Sequence, residues 1–439
     1  MRMDAAALQK MAESYTAAWC SGDPTAVAEF YTESGSLTVN DGPAAVGRAA
    51  VAETARAFMT ALLDLRLFLD GVVKTGENRA DYHWTLTGAS AQGHAVRISG
   101  SEKWQLNGDG HIAASQGHFD AADYRRQLAE AFAAPRFVSE AEVRAHLPMP
   151  ELIDAMERAL TEFSAGQVEQ PVRTVLLFGA IRSYFGVMPS FVPSLPALGA
   201  KLVTVCHANA ARGLHTHQAL IAMLDPTTGR VRALLDGRYI TEARTAAVSA
   251  VSARRLARTG ASVLAILGAG AQARSHWEAL RLVRSFREVR VWSPRAASRE
   301  QFAADTGARP MPSAEAAVRG ADVVVTVTAS PTPLVQSEWV SEGAHVIAVG
   351  ACVPSQRELD PALVARSRLI VDSRAAALQE AGDVVIGIAE GHWTAAHIAA
   401  ELGELPKRLN EREITIFKSL GLAVEDLFAA HLVLQRAGL

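Results

Sequence analysis

The feature that most constrains the fold of this chain is a strand, a glycine turn and a helix start within residues 262–273. An apolar run, Val263–Leu267, has the length of a buried parallel strand and breaks at Gly268-Ala269-Gly270. This Gly-x-Gly-x-x-Ala pattern is typical of a dinucleotide-binding unit, in which glycines allow a tight turn and a close approach of pyrophosphate to the backbone. The following helix offers free N–H groups to the phosphates. The pattern therefore predicts a nicotinamide or flavin cofactor and redox chemistry.

Further strand-like segments indicate that this unit belongs to a larger sheet. Apolar segments recur at 288–292, 322–328, 345–350 and 369–372, and helix-forming segments separate several of them. Alternating strands and helices predict a doubly wound sheet. A glycine turn without a cofactor is the alternative explanation of the motif, and this context argues against it.

The end of the second strand predicts which cofactor is used. An enzyme that uses NAD usually carries Asp or Glu there for the ribose 2′-hydroxyl, whereas this strand ends in Trp292-Ser293-Pro294-Arg295, without an acid. Ser293 and Arg295 suit a 2′-phosphate, so we expect NADPH as the preferred cofactor and NADH as the other candidate. A solvated helix face is the alternative role of Arg295. The predicted cofactor-binding residues are Gly268, Gly270, Ala271, Gln272, Ser293, Arg295 and Thr328.

Composition narrows the class of protein. The 439 residues exceed one ordinary domain, so two or three domains are expected. Hydrophobic residues make up 49%, enough for full cores, and the net charge of −3 predicts no nucleic-acid partner. The sequence predicts neither a membrane span nor a secretory signal, and its three scattered cysteines predict no disulfide framework. A cytoplasmic location is therefore expected.

Residues 1–128 have a pattern that differs from the rest of the chain. A helical segment at 7–20 precedes short strands bounded by turn signals, which predicts an α+β cone. The segment resembles the SnoaL-like branch of the NTF2-like superfamily in Tyr15-Thr16-Ala17-Ala18-Trp19 and in Ser99-Gly100-Ser101-Glu102-Lys103-Trp104. Residues 129–136 are expected to form a short linker.

A series of ordered motifs follows from residue 137 to the end of the chain. They include Pro171-Val172-Arg173, Gly199-Ala200-Lys201, Gly213-Leu214-His215-Thr216, Thr241-Glu242-Ala243-Arg244, Arg357-Glu358-Leu359-Asp360 and Glu380-Ala381-Gly382-Asp383. With the glycine turn, they resemble the ornithine cyclodeaminase/mu-crystallin family. The resemblance implies a Rossmann domain at 258–388 inserted in a substrate-binding and dimerisation domain formed by 137–257 and 389–439. The expected fold class is an α/β Rossmann domain inserted in an α+β domain, plus an N-terminal α+β NTF2-like cone. A homodimer or higher homo-oligomer is also expected.

The resemblance also implies a small imino- or amino-acid substrate whose α-carboxylate is bound by Arg173, Lys201 and Arg244. A guanidinium offers a planar fork that fits a carboxylate, and a lysine adds a point charge. Surface or interface salt bridges are the alternative role of these three cations. Lys201 and Arg244 are the expected catalytic residues, since a buried lysine can hold an imine nitrogen in its protonated form. Thr216 and Cys352 complete the expected substrate-binding set.

One departure from the family pattern bears on the reaction. Cyclodeaminases of this family carry an aspartate six residues before the glutamate of the Glu-Leu-Asp turn, and counting back from Glu358 gives Cys352. A carboxylate is a suitable base for ring closure, whereas a neutral thiol is a poor substitute. The expected activity is therefore NAD(P)H-dependent reduction of the C=N bond of an α-imino acid. Ornithine or lysine cyclodeamination with bound NAD, amino-acid dehydrogenation, and non-enzymatic binding of NADPH and a small ligand are the alternatives.

Two groups of polar residues have weaker interpretations. The first group would allow a metal site, but it also matches a family strand that approaches the substrate, so no metal is predicted. It consists of His207, His215 and His217. The second group is a candidate for acid–base work at the mouth of the N-terminal cone, and a pocket kept for dimerisation or domain positioning is the alternative. It consists of His83, His118 and Asp120.

Overall fold

The structure of the chain is a computed structural model that describes residues 4–90, 95–129, 135–179, 183–195 and 197–439. The chain forms two compact units, Met1–Ala134 and Pro135–Leu439. The predicted linker at 129–136 spans this division, although its residues 130–134 lie outside the described part. Its last residue already begins a strand of the second unit.

Helices and one mixed sheet make up the first unit. Its elements are α1 (Ala5–Cys20), α2 (Pro24–Ala28), β1 (Tyr31–Val39), β2 (Ala45–Val46), α3 (Arg48–Ala61), β3 (Leu62–Gly76), β4 (Arg79–Ser90), β5 (Ala95–Leu106), β6 (Ile112–Phe119) and α4 (Ala121–Ala129). The strand order is β2-β1-β6-β5-β4-β3, and the pairs are antiparallel except for β1 with β6. The α+β class predicted for this segment is confirmed.

Aromatic side chains fill the interior of the first unit around one buried carboxyl group. Tyr15, Tyr31 and Trp104 are at most 1% exposed. Glu102 accepts hydrogen bonds from the Trp104 indole at 2.9 Å, from the Tyr15 hydroxyl at 3.2 Å and from the Ser115 hydroxyl at 2.7 Å. The buried Glu102 carboxyl group is therefore well supplied with hydrogen-bond donors.

In the expected acid–base group of the first unit, His83 and His118 each pair with Ser101 on β5, on the exposed side of the sheet. His83 follows the buried Tyr82 on β4, so the alternation of the strand turns it outward, where it is exposed. His118 is exposed on β6. Asp120 instead caps α4, where its carboxylate accepts the N–H of Ala122 at 2.9 Å. These residues therefore do not line the packed interior, and their role stays a prediction.

The second unit begins with a mostly antiparallel sheet and its covering helices. Its first elements are β7 (Arg136–Val138), α5 (Glu140–His146), α6 (Met149–Ser164), β8 (Thr174–Phe178), β9 (Ser183–Val192), β10 (Ala197–Val205), a 3-10 helix (His207–Arg212), β11 (His217–Leu224), β12 (Val231–Asp236) and α7 (Arg238–Leu256). The strand order is β7-β12-β11-β10-β9-β8. A capping box begins α5, with the Ser139 N–H donating to Glu142 at 2.9 Å.

A parallel sheet follows, as the glycine turn predicts. Its elements are β13 (Val263–Leu267), α8 (Ala271–Val283), β14 (Glu288–Trp292), α9 (Ala296–Thr306), β15 (Arg309–Pro310), α10 (Ala314–Val318), β16 (Val323–Thr326), β17 (His345–Ala348), α11 (Pro361–Ala365), β18 (Arg368–Val371), α12 (Arg374–Glu380), α13 (Gly382–Ala389), β19 (Ile398–Glu401), β20 (Thr415–Lys418) and α14 (Ala423–Ala437). The strand order is β15-β14-β13-β16-β17-β20-β18-β19. Short 3-10 turns occur at Ser337–Trp339, Ala395–His397 and Leu402–Glu404.

The parallel sheet extends past the expected domain boundary at residue 388. Strand β20 pairs with β17 and β18, and β19 pairs with β18, so part of the expected 389–439 segment belongs to the Rossmann sheet. In the order of the sheet, β20 lies between β17 and β18. The remaining division between 137–257 and 258–388 stays a prediction.

Helix α7 joins the two sheets of the second unit. It contacts β11 of the antiparallel sheet and both β17 and β20 of the parallel sheet. Its small residues are buried along most of its length, including Ala243, Ala246, Ala247 and Ala250 at 0% exposure. Among the helices of the described residues, none is both long and apolar enough to cross a membrane.

Candidate active site

The glycine turn after β13 has the local geometry that its motif predicts. Gly268 has a φ of +124°, and a Cβ there would lie 2.8 Å from the carbonyl oxygen of Val327. At Gly270 an added Cβ would meet nothing within 4 Å, so this backbone faces open space. Ala273 is fully buried, which brings α8 close to the sheet. The turn is tight where the chain must bend and open where a phosphate would approach.

Unpaired donors stand at the start of α8. Gly270 is the N-cap residue and has no side chain to cap the helix. The first backbone hydrogen bond of the helix joins the Arg274 N–H to the Gly270 carbonyl at 3.2 Å. In the described part of the chain, the N–H groups of Ala271, Gln272 and Ala273 therefore have no partner. The buried Oε1 of Gln272 also has none among these residues. Free N–H groups at the positive end of a helix dipole fit a bound pyrophosphate.

The loop after β14 presents one free cation. Ser293 is buried, and its carbonyl accepts a hydrogen bond from Arg299 Nη1 at 3.1 Å. Arg295 is exposed at the N-cap of α9 and forms no ion pair with any described residue. This leaves the Arg295 guanidinium free for an anionic ligand, whereas Arg299 already has a partner.

A buried carboxylate joins the ends of two parallel strands. Glu358 is fully buried and accepts the Thr328 N–H at 2.9 Å, the Thr328 hydroxyl at 2.6 Å and the Gly350 N–H at 2.8 Å. Its second oxygen also accepts the Thr326 hydroxyl at 2.8 Å. Glu358 thus holds Thr328, a predicted cofactor residue, at the carboxyl edge of the sheet, where ligands of such folds bind.

Two of the predicted clamp residues share a carboxylate in the core. Lys201 Nζ lies 2.7 Å from Asp426 Oδ2, and Arg244 Nε donates to Asp426 Oδ1 at 3.0 Å. Arg244 Nη1 also donates to Glu425 Oε2 at 2.8 Å. Lys201 is 2% exposed, Arg244 is 4% exposed and both acids are 0% exposed. These ion pairs join β10, α7 and α14.

The third predicted cation, Arg173, contacts the turn before α14. Arg173 Nη2 donates to the carbonyls of Leu420 at 2.9 Å and of Gly421 at 3.2 Å, and Nε lies 3.0 Å from Glu380 Oε2. Arg244 lies against Gly421 so closely that a Cβ there would be 2.3 Å from Nη1. Both guanidinium groups therefore contact one glycine.

Asp372 holds that turn in place. Its carboxylate is fully buried and accepts the N–H groups of Leu420 at 2.5 Å and of Gly421 at 2.7 Å. Because Arg173 and Arg244 both lie against Gly421, Asp372 positions them indirectly.

Donors remain for a ligand after these contacts. Within the described residues, Arg173 Nη1 and Arg244 Nη2 make no hydrogen bond, and the ion pair of Lys201 Nζ involves Asp426 alone. A cavity of about 60 Å³ borders the cluster, and Arg173, Met188 and Gly421 contribute to its wall. The arrangement can hold a small carboxylate with charge-assisted hydrogen bonds.

Burial shifts the protonation of this cluster. Burial, helped by the positive charge of Arg244, lowers the pKa of Lys201 to about 8. Burial raises the pKa of Glu425 to about 7, against the opposing effect of Arg244. The pKa of Arg244 is raised, because the attraction of Asp426 and Glu425 exceeds the cost of burial. Lys201 and Glu425 therefore both titrate near neutral pH.

Of the other two predicted substrate residues, the structure brings Cys352 near the cluster. Its thiol donates to the Val349 carbonyl at 3.1 Å, and Sγ lies 4.0 Å from the Ser419 carbonyl oxygen, next to the Leu420 turn. Burial raises the pKa of this thiol, which favours its neutral form. The Thr216 carbonyl accepts the Cys206 N–H, and Thr216 makes no hydrogen bond with a described clamp residue. Its role stays a prediction.

The histidines near Thr216 do not form a ligand group for a metal. Among the described residues, no three His, Cys, Asp or Glu side chains are arranged to hold an ion. His217 is exposed, yet the atoms packed around its ring and the nearby His207, Lys201 and Arg244 lower its pKa.

Sequence reasoning missed the acids that surround the predicted cations. These are Asp372, Glu380, Glu425 and Asp426. A signal was present in α14, where two adjacent acids follow the apolar Leu422-Ala423-Val424 and precede Leu427-Phe428. Their place in the first helical turn also suits the helix dipole, so the pattern alone gave no reason to assign them to a site.

Comparisons with known proteins agree with this geometry. Residues 134–438 match the ornithine cyclodeaminase/mu-crystallin family, and residues 12–115 match the SnoaL-like domain. Ketimine reductase mu-crystallin of Mus musculus is 45% identical over 309 residues, which cover 68% of this chain and 96% of the relative. Delta(1)-pyrroline-2-carboxylate reductase of Bacillus thuringiensis is 38% identical over 312 residues, 68% of this chain and 96% of the relative.

A solved structure extends the likeness to the fold. Thermococcus litoralis Delta(1)-pyrroline-2-carboxylate reductase, in complex with NADH and L-proline, is 34% identical, with a TM-score of 0.67. The match covers 69% of this chain and 97% of that one. Both resemblances expected from the sequence are confirmed. The chain belongs to the ornithine cyclodeaminase/mu-crystallin family and carries an N-terminal SnoaL-like domain.

Proposed function

We propose that the protein is an NAD(P)H-dependent reductase of a cyclic or linear α-imino acid. The observation that carries the proposal is the meeting of Arg173, Lys201 and Arg244 around Gly421, at the carboxyl edge of a sheet with a dinucleotide turn. The relatives named as ketimine reductase and pyrroline-2-carboxylate reductase support it. The reaction adds a hydride to the imine carbon and a proton to the imine nitrogen, which gives an amino acid.

The chain's own residues bind and orient the substrate. The free Nη atoms of Arg173 and Arg244 hold its α-carboxylate, which fixes the position of the adjacent C=N bond. Lys201 completes this clamp, and its Nζ holds a proton at neutral pH that keeps the imine nitrogen protonated. Positioning and electrostatics supply most of the rate gain in such a site.

The dinucleotide turn is proposed to hold NADPH, with NADH as the other candidate. When bound, the reduced nicotinamide supplies the hydride. Gly268, Gly270 and the N–H groups at the start of α8 fit the pyrophosphate. Arg295, which has no ion pair with any described residue, fits a ribose 2′-phosphate beside Ser293.

Cyclodeamination is the competing lyase reaction. Its ring closure calls for a base where this chain has Cys352, whose neutral form burial favours. The test is NADPH oxidation at 340 nm with Δ1-pyrroline-2-carboxylate and Δ1-piperideine-2-carboxylate, alongside ammonia release from ornithine and lysine with NAD⁺. Imine-dependent oxidation is expected. Ammonia release without imine reduction would overturn the proposal in favour of a lyase.

A homodimer in the cytoplasm is part of the proposal. Strand β8 lies at the edge of its sheet, and its apolar Val175, Leu176, Leu177 and Phe178 are 40–60% exposed. Such an uncovered apolar edge favours pairing with a second copy. Light scattering after gel filtration is expected to give a dimer or a multiple of it, and Leu176→Asp is expected to shift it towards the monomer. A wild-type monomer at micromolar concentration would contradict this assignment.

A further inference from the structure

The cluster that is proposed to bind an anion is itself rich in acids. Ion pairs and nearby charges connect the cations Arg173, Lys201 and Arg244 with the acids Asp372, Glu380, Glu425 and Asp426. With every group ionised, three positive charges face four negative ones. A bound α-carboxylate would add another negative charge to a buried region. Uncompensated buried charge is costly, and a titratable group responds by becoming neutral.

The contacts single out Glu425 as the least compensated acid. Asp426 is paired with both Lys201 and Arg244, and Asp372 accepts backbone N–H groups. Glu380 is paired with Arg173 and is less buried. Glu425 is 0% exposed, its Oε2 accepts only from Arg244, and its Oε1 has no partner among the described residues.

We propose that Glu425 takes up one proton, at Oε1, when an α-carboxylate binds among Arg173, Lys201 and Arg244. The neutral acid still accepts the Arg244 hydrogen bond through Oε2, so Arg244 keeps its position. The positive charge of Arg244 is then free to be balanced by the ligand. Glu425 acts through Arg244 and is a positioning residue. This inference rests on the proposed function, because it requires that the ligand is a carboxylate bound at this clamp.

The groups that face Glu425 determine the expected pH range. They are Arg244 on α7, Asp372 after β18, Asp426 on α14 and Lys201 on β10. With a pKa of about 7, Glu425 is about three-quarters ionised at pH 7.5 in the free enzyme and can accept that fraction of a proton. Lys201, with a pKa of about 8, is about one-quarter neutral at this pH and adds the remaining uptake. Together they predict about one proton per carboxylate bound.

Isothermal titration calorimetry with NADH-saturated protein measures this uptake, with pyrrole-2-carboxylate as the probe because its ring nitrogen is not basic and it adds a carboxylate without an ammonium group. The titration is run at pH 7.5 in HEPES and in Tris, because the difference in their ionisation enthalpies reports the protons taken up. Wild-type protein is expected to take up about one proton, and Glu425→Gln about one-quarter, the share of Lys201. The matched control Glu162→Gln changes a buried glutamate paired with Arg158, outside the cluster, and should match the wild type.

Each outcome bears on a different claim. Binding with equal heats in the two buffers would overturn the role of Glu425 and leave the clamp intact. Equal uptake by wild type and Glu425→Gln would do the same. Failure of pyrrole-2-carboxylate to bind would overturn both the clamp and this inference. Should Glu425→Gln not fold, the wild-type uptake still decides, because it must rise from about 0.1 proton at pH 6 to about 1.4 protons at pH 8, whereas Lys201 alone would give no more than about 0.5.

Discussion

The contact between Gly421 and Arg244 makes Gly421→Ala a sharp probe of the clamp. Gly421 has a φ of +82°, and an added Cβ would lie 2.3 Å from Arg244 Nη1 and 2.7 Å from Nη2. Both distances are shorter than a real Cβ contact allows, so the guanidinium must leave its place between Glu425 and Asp426. The change should therefore act on both stability and substrate binding.

Gly391 provides a matched control because its backbone has nearly the same conformation. Its φ is +81°, but a Cβ there would meet nothing within 4 Å. A left-handed alanine costs about 1–2 kcal/mol at either position. At Gly421 a disturbed buried ion pair adds up to about 3–5 kcal/mol. With roughly 2–4 °C of Tm per kcal/mol for a large domain, Gly421→Ala should melt about 10 °C below Gly391→Ala.

The kinetic effect follows from the lost hydrogen bonds to the substrate. A hydrogen bond between charged groups contributes about 1.5–3 kcal/mol, so kcat/KM for the imino acid should fall about 10- to 100-fold in Gly421→Ala. The assay is NADPH oxidation at 340 nm across substrate concentrations. The Gly391→Ala protein should keep the wild-type value. Equal kcat/KM in the two variants would refute the placement of Arg244 at the substrate carboxylate.

Three further predictions test other parts of the account. Arg295→Ala should lower kcat/KM for NADPH about tenfold or more, because one charged contact is lost, and should leave kcat/KM for NADH unchanged. An equal effect on both cofactors in steady-state assays would contradict the contact of Arg295 with the 2′-phosphate. Cys352→Ala should keep kcat within about threefold, since a neutral thiol performs no acid–base step; a hundredfold loss would refute this. Burial lowers the pKa of His276 to about 4 and that of His345 to about 3. Their contribution to the free energy of unfolding is therefore fully present above about pH 6.5, near the ordinary pKa of histidine, and is lost as the pH falls below it. Denaturant unfolding should show that the free energy of unfolding is lower at pH 5 than at pH 7 by about 2 kcal/mol per histidine. The difference should be smaller in His345→Asn, and equal stability of the wild type at the two pH values would contradict the prediction.

The parts of the fold that repeat a local pattern could be predicted from the sequence. The strand Val263–Leu267, its glycine turn and the start of α8 lie where the motif places them, because hydrophobic run length and glycine geometry are local properties. Strand β20 could not be placed in the same way. It is only Thr415–Lys418, and its neighbours β17 and β18 come much earlier in the chain.

The candidate site was predictable in its cations and not in its acids. Arg173, Lys201 and Arg244 stand in motifs that resemble a known family, and the structure brings them together. Glu425 and Asp426 pair with Arg244 across about 180 residues of chain, and no spacing rule connects such positions. The packing of α7 and β10 against α14 reveals the counter-charges of Arg244 and Lys201.

The central claim is that the cluster around Gly421 selects substrates by their α-carboxylate. The most direct measurement compares kcat/KM for Δ1-piperideine-2-carboxylate with that for Δ1-piperideine, which differs only in lacking the carboxylate, in the wild type and in Arg244→Ala. We predict that the wild type prefers the carboxylated imine at least about a hundredfold, the worth of roughly 3 kcal/mol of charged hydrogen bonds. Arg244→Ala should lose most of this preference. Equal activity of the wild type on the two imines, or an unchanged preference in Arg244→Ala, would contradict the account.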